Sequence, residues 1–236
     1  MRIAAIDLTR RESIDADFVA LGDASARACA AGAEVVVVPA PVWFAQAGVS
    51  QPDALARLQA ACPDVLFIGA PAENADSAPE PGDRRAGVKF ERTPLGMTAS
   101  LSGDECLDEG IAQDIAVAAP DALVLRPASE SELQAEAMIE RALAFSESVA
   151  GLVIVAEANG APVGEPGHGG SAIAVLGELV AEAVGDEDVL VADLSVLPVP
   201  PPEPREPLPV LPPILAQRRA YHRGERVQVS YPAELS

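Results

Sequence analysis

Lysine is almost absent from this chain of 236 residues. Fifteen of its 16 basic residues are arginines, so any mechanism that requires a lysine amine must use Lys89. Basic residues as a whole are few compared with the 36 acidic residues, and the net charge is −20. Nucleic-acid phosphates are held by clustered lysines and arginines, so this balance argues against nucleic-acid binding. We expect the acidic excess to give a strongly solvated surface.

Cysteines and long apolar runs are also few. Cys29, Cys62 and Cys106 are odd in number and lack CxxC spacing, which argues against a disulfide framework or a zinc site. No apolar run approaches the roughly 18 residues of a membrane span. Met1 leads directly into a predicted strand, without the apolar region and cleavage site of a signal peptide. We therefore expect a cytoplasmic protein that does not bind membranes.

The apolar pattern predicts one α/β domain, and such folds commonly reach this length without splitting. Helices that pair with two layers of sheet predict a layered domain, with helices on the outer face of each sheet. The last three strands are predicted to be antiparallel to one another. Predicted strands span residues 2–8, 34–38, 65–69, 87–92, 97–102, 122–126, 152–157, 171–176, 179–183 and 189–194, and predicted helices span 15–31, 52–61, 107–118 and 130–149.

Six segments, in this order along the chain, resemble motifs of the carbon-nitrogen hydrolase superfamily of nitrilases and amidases. They are similar to the family's first strand, its glutamate motif, its nucleophile elbow, its Arg-Ala helix with the following strand end, its Gly-x-Ser-x-Ile hairpin and its C-terminal Arg-Arg-Pro-x-x-Tyr motif. The segments are 2–8, 32–39, 95–109, 141–160, 167–173 with 177–183, and 218–221.

The resemblance covers nearly the whole chain and implies a four-layer α-β-β-α sandwich. It also implies a homodimer or higher homo-oligomer, since the family usually dimerises through a helical face. Residues 198–213 hold nine prolines and are expected to be extended. We therefore divide the chain into a domain of residues 1–197 and a Pro-rich arm of residues 198–236, which belongs to the same domain or to its dimer partner.

The resemblance implies a catalytic triad, but this sequence departs from it. The family uses a glutamate base, a lysine that stabilises the oxyanion and a cysteine nucleophile on a sharp turn after a strand. The base position holds Ala40, after the strand that ends at Pro39. Lys89 lies 13 residues before the elbow at Ser102, where the family has a variable strand residue. Neither the base nor the lysine is therefore in its place.

The nucleophile position is also without cysteine. It falls on Ser102 when counted from Asp104 and Glu109, and on Gly103 when counted from Gly96. Two alternatives remain open: Cys106 as a displaced nucleophile, and Ser102 as a serine nucleophile. His168 and His222 are remote in sequence from Ser102, so no visible histidine activates it.

Two further groups of residues were considered as cofactor or metal sites, and we expect neither a cofactor nor a metal. The glycine-rich loop 164–170 has no lysine and does not lie between a strand and a helix N-terminus, so it does not fit a phosphate-binding loop. Asp104, Glu105, Asp108 and Glu109 offer oxygen ligands for a divalent cation. Acidic residues at a helix N-terminus are, however, favoured by the helix dipole alone.

These observations predict a nitrilase-fold protein without catalytic activity, with a binding, regulatory or oligomeric-partner role. Its ligand would be a small molecule or a protein. The alternatives are a divergent amide or nitrile hydrolase with a rebuilt site at Ser102 or Cys106, and an α/β protein whose acidic surface serves solubility only. The predicted pocket is lined by Ala40, Trp43, Ser102, Gly103, Asp104, Pro127 and Ser129.

Overall fold

The computed structural model describes residues 1–40, 51–69, 88–159, 169–183 and 189–195. Its helices are α1 (Ile14–Ala30), α2 (Gln51–Ala61), α3 (Glu109–Ala118) and α4 (Glu132–Ser148), with a 3₁₀ helix at Gly103–Leu107. Its strands are β1 (Arg2–Ile6), β2 (Leu8–Thr9), β3 (Val35–Val37), β4 (Leu66–Ile68), β5 (Lys89–Thr93), β6 (Gly96–Ser102), β7 (Ala122–Arg126), β8 (Leu152–Val155), β9 (Ala158–Asn159), β10 (Ala172–Val175), β11 (Glu178–Glu182) and β12 (Val189–Asp193). The predicted arm of residues 198–236 lies outside the described residues.

Three helices begin at a side chain that caps exposed backbone N–H groups. The hydroxyl of Ser13 accepts from the N–H of Ala16 at the start of α1, and Ser131 caps α4 in the same way. At α3 the carboxylate of Asp108 accepts from two N–H groups, those of Gly110 and Ile111. Such caps satisfy donors that have no partner within the helix, which explains where these helices start.

The strands form two main sheets. One has the order β12-β1-β3-β4 and the other has the order β11-β10-β8-β7-β6-β5. In the first sheet β1, β3 and β4 are parallel, and in the second β6, β7 and β8 are parallel. The carboxyl ends of the parallel strands therefore lie together at one edge of each sheet, where α/β proteins commonly place their sites.

The two sheets pack face to face with helices outside. One apolar cluster combines inner side chains of both sheets, such as Val37 and Val124. A second cluster packs α1 and α2 on the first sheet, and a third packs α3 and α4 on the second. The four-layer α-β-β-α sandwich predicted from the sequence is therefore confirmed.

The predicted pairing of the last strand is wrong. β10 and β11 form the expected antiparallel hairpin, but β12 pairs antiparallel with β1 in the other sheet, with Ala192 opposite Ile3. Leu190 and Ala192 of β12 are buried in the cluster between the sheets. The chain therefore crosses from one sheet to the other after β11, because β1 offers an open edge beside that core.

The remaining predicted elements are found with shifts of a few residues. The β5–β6 hairpin places Lys89 opposite Ser100. The predicted helix 107–118 is found as α3, which begins at Glu109 after the 3₁₀ helix ends at Leu107. No helix in the described part of the chain has both the length and the apolar character needed to cross a membrane.

Candidate functional site

Strand alternation decides which side chains of β6 and β7 face the layer between the sheets. Leu101 of β6 and Leu125 of β7 pack beneath α3 and α4. Side chains alternate along a strand, so Ser100, Ser102 and Arg126 point to the opposite face. Ser100 and Ser102 therefore share the inner face of β6. The sequence did not single out Arg126, which lies opposite Ser102 in the register of the two strands.

Arg126 joins the carboxyl edges of the two sheets. Its Nη2 donates to Oγ of Ser102 at 2.6 Å, and its Nη1 donates to the carbonyl oxygen of Gly69, directly after β4. Only 2% of Arg126 is exposed. This burial lowers the pKa of its guanidinium, because the charged form loses hydration. The ends of β4, β6 and β7 therefore meet at one place.

A sharp turn follows Ser102. Gly103 has a φ of 55°, in the left-handed region that glycine adopts with little strain. The chain then enters the 3₁₀ helix, where Glu105 Oε2 accepts from the backbone N–H of Ser102 at 3.1 Å. This strand-turn-helix geometry is the predicted elbow, and it presents a half-buried serine hydroxyl at its tip.

Cys106 lies away from this tip. It is fully buried in the apolar cluster under α3 and α4, with Leu101 and Ile115 among its members. Burial raises the pKa of its thiol to about 12, while a hydrogen bond from the Arg126 backbone acts in the opposite direction. The thiolate is the nucleophilic form of cysteine, so this thiol is unsuited to attack at neutral pH.

A second buried polar network lies at the carboxyl ends of β1 and β8. Glu157 Oε1 accepts from the N–H of Ser129 at 2.6 Å, and the N–H of Glu157 donates to Ser171 Oγ at 2.9 Å. The N–H of Ser171 donates to Asp7 Oδ2 at 3.2 Å. The carbonyl oxygen of Glu157 accepts from the N–H of Leu8, which ties the two sheets together here as well.

Glu157 has an unusual environment for a carboxyl group. Its exposure is 0%, and its Oε2 atom has no hydrogen-bond partner. Burial and, secondarily, the charge of Asp7 raise its pKa to about 8, against the hydrogen bonds from Ser129 and Ala158. At neutral pH Glu157 is therefore mostly a neutral acid that can donate a hydrogen bond.

The structure describes most of the residues that the sequence analysis predicted to line a pocket. Ala40 is buried just beyond β3, and Pro127 and Ser129 are buried after β7. Ser102 and Gly103 form the elbow, whereas the side chain of Asp104 is exposed. Trp43, His168 and His222 lie outside the described residues, and so does the side chain of Lys89.

The acidic residues near the elbow have structural partners. Glu105 bonds the Ser102 backbone, and Asp108 caps α3. Glu109 forms an ion pair of 2.7 Å with Arg141 of α4. Within the described ranges, no group of three or more histidine, cysteine or acidic side chains is arranged to hold a metal ion. These partners favour the helix-terminus explanation for the cluster.

A cavity of about 340 Å³ lies between the edge strands β4 and β5. It adjoins Gly69, the residue whose carbonyl oxygen accepts from Arg126. Its lining combines apolar side chains from α2 and β4 with polar ones from β5. The lining residues are Leu55, Leu66, Phe67, Ile68, Gly69, Glu91, Arg92, Thr93 and Pro94.

Solved structures of amidases resemble this chain. A mutant of the Nesterenkonia AN1 amidase from the nitrilase superfamily is 19% identical, with a TM-score of 0.58 over 82% of this chain and 90% of that one. The NitN amidase from the same source is 17% identical, with a TM-score of 0.57 over 82% and 92%. A third structure, with acrylamide added at the amidase's active-site cysteine, is 18% identical, with a TM-score of 0.59 over 95% and 99%.

No family model matches the sequence, and no curated protein matches it. At these low identities the solved structures show the fold alone. The chain has the fold of nitrilase-superfamily amidases, as the sequence motifs indicated.

Proposed function

We propose that this chain is a nitrilase-fold protein that binds a ligand or a partner without hydrolysing a carbon-nitrogen bond. The observation that carries the proposal is the hydrogen bond from Arg126 to Ser102. Where the resemblance places a nucleophile, the chain has a hydroxyl whose oxygen accepts a hydrogen bond from a buried cation.

A serine attacks as a nucleophile only when a base takes its proton. At the position that the resemblance assigns to the base, Ala40 presents a buried methyl group. The neighbouring Arg126 is a permanent cation with donors only, so it cannot take the proton. This supports a site in which Ser102 holds Arg126 in place.

The alternative nucleophile has an equally unsuitable environment. Cys106 is enclosed by apolar side chains on the outer side of the sheet, whereas Ser102 faces the layer between the sheets. A hydrolase site at Cys106 would require this fully buried thiol, whose pKa burial raises to about 12, to become accessible and to ionise. Hydrolysis by a divergent site at Ser102 or Cys106 is the alternative function, and observing it would overturn the proposal.

Ammonia release from a panel of amides, nitriles and ureides tests this proposal. We expect no turnover above the buffer rate for the wild-type protein. Turnover that Ser102→Ala or Cys106→Ala abolishes would contradict it. Glu109→Ala is the matched control, because that exposed residue pairs with Arg141 and lies away from the elbow tip.

The proposal also includes assembly and location. We expect a cytoplasmic homodimer or higher homo-oligomer, with a protein partner as the alternative to a small ligand. Light scattering coupled to size-exclusion chromatography measures the assembly mass, and a monomer at micromolar concentration would contradict this part.

A further inference from the structure

We propose that the edge formed by Arg126, Ser100 and Ser102 binds the carboxylate group of a small organic acid. This rests on the proposed function, because it names the ligand class of the same site.

The first observation is that no carboxylate of the described residues is in contact with the Arg126 charge. Within the described residues, no aspartate or glutamate oxygen lies within 4.0 Å of its guanidinium. Glu91 and Glu105 act on it only through longer-range attraction, and Glu105 already accepts from the Ser102 backbone. A buried charge without a partner is costly, so an anion at this place would stabilise the protein.

The second observation is that Arg126 has unused hydrogen-bonding capacity on one edge. Its Nε is buried and has no partner, while the adjacent Nη2 bonds Ser102. Nε and Nη2 form a planar fork that matches the two oxygens of a carboxylate. A monatomic anion such as chloride offers a single acceptor and cannot occupy both positions of this fork as two oxygens do.

The third observation concerns the serines. The hydroxyl of Ser100 is buried without a partner. It lies two residues before Ser102 on the same face of β6, about 7 Å along the strand. Ser102 accepts from Arg126, so its own proton is free to be donated. Buried polar atoms are nearly always satisfied in a complete site, and an oxygen-rich ligand would satisfy Nε and Ser100 together.

Calorimetric titration with propionate and propionamide tests the inference, since the two compounds have almost the same shape and differ in charge. We expect propionate to bind at least about tenfold more tightly than propionamide, because only the carboxylate pairs with the guanidinium. Equal binding of the two compounds, or no binding of propionate at millimolar concentration, would overturn the inference. So would chloride binding as tightly as propionate, because the fork would then not be selecting an anion with two oxygens.

Two variants locate the binding. Arg126→Gln is expected to abolish propionate binding, and binding that survives in this variant would contradict the assignment. Because Arg126→Gln also removes the bonds to Ser102 and Gly69, Ser100→Ala provides a second test that the fold tolerates. Its hydroxyl has no partner, so we expect unchanged thermal stability but about tenfold weaker propionate binding. Unchanged affinity would exclude Ser100 from the site.

Propionate and propionamide also distinguish a failure of this inference from a failure of the proposed function. Ammonia release from propionamide would refute the absence of hydrolysis, whatever propionate does. Absence of propionate binding, with no ammonia release, would refute the carboxylate site alone.

Discussion

Arg126 Nη2 donates a 2.6 Å hydrogen bond to Ser102 Oγ, across two parallel strands whose register places these residues opposite each other. Through Nη1 the same guanidinium bonds Gly69 of the other sheet. One arginine therefore holds the elbow and joins the two sheets at their carboxyl edge.

Replacing Ser102 with cysteine introduces a thiol whose reactivity measures the effect of the Arg126 charge at this position. In Ser102→Cys the new thiol lies beside the guanidinium, and a neighbouring cation lowers the pKa of a thiol. We expect its alkylation by iodoacetamide at pH 7 to be faster than that of Cys29, whose pKa is raised to about 11 by burial and by the neighbouring Cys62. We also expect no amide hydrolysis, since no base is restored.

The double variant Ser102→Cys with Arg126→Gln is the control for that effect. The introduced thiol should then react more slowly at pH 7, because its thiolate has lost the cation. An unchanged alkylation rate would mean that Arg126 does not act on this position in solution.

Cys106 should be unreactive in the folded protein. Its side chain is fully buried and its pKa is raised to about 12, so both access and thiolate formation are suppressed. With a thiol reagent at pH 8, we expect one of the three thiols to react only after urea is added. Cys106→Ala should remove that protected thiol. Rapid labelling of Cys106 without denaturant would contradict its buried position.

Stability should fall as the pH rises through the neutral range, because of Glu157. Between about pH 4.5 and about pH 8 the folded protein keeps the Glu157 proton, whereas the unfolded chain loses it. The contribution of Glu157 is thus complete below about pH 4.5. It decreases toward pH 8 by at most about 1.4 kcal/mol per pH unit.

Glu157→Gln should remove this dependence, because an amide resembles the neutral acid but does not ionise. Urea unfolding at pH 6 and pH 8.5 measures the difference in free energy of unfolding between the variant and the wild type. We expect the variant to gain stability relative to the wild type as the pH rises. The same difference at both pH values would show that Glu157 titrates normally.

The acidic residues near the elbow should stabilise α3 and not hold a metal. Asp108→Ala removes the helix cap and should lower the free energy of unfolding by about 1 kcal/mol. Asp104→Ala, at an exposed position, should change it by less than about 0.5 kcal/mol. Calcium at millimolar concentration should leave the melting temperature unchanged. A rise that disappears in Asp108→Ala would favour the cation site.

Local patterns were sufficient for most of the fold. The buried run from Val35 to Val37 and the capped helices depend on neighbouring residues, so the sequence predicts them. The partner of β12 was mispredicted because the alternation of buried and exposed side chains along β12 would be the same beside β11 as beside β1. Only the core between the sheets, to which Leu190 contributes, distinguishes the two pairings.

The candidate site was predicted in part. Motif spacing identified Ser102 and Ala40, but Arg126 and Glu157 were treated as ordinary strand ends. One feature of the sequence did distinguish Arg126. It is the only charged residue of β7, and it follows Ala122 and Val124 on the inner face of that strand. A charge at such a position indicates a function or a partner. The contact with Gly69, 57 residues away in sequence, could not be read from any local pattern.

The central claim is that Ser102 does not act as a nucleophile, and intact-mass spectrometry after incubation with p-nitrophenyl acetate tests it most directly. An activated ester acylates even a weakly active nucleophile, so slow turnover would not hide the reaction. We expect the wild-type protein and Ser102→Ala to show the same acetylation, with none at residue 102. A stable acetyl adduct on Ser102, lost in Ser102→Ala, would contradict the claim.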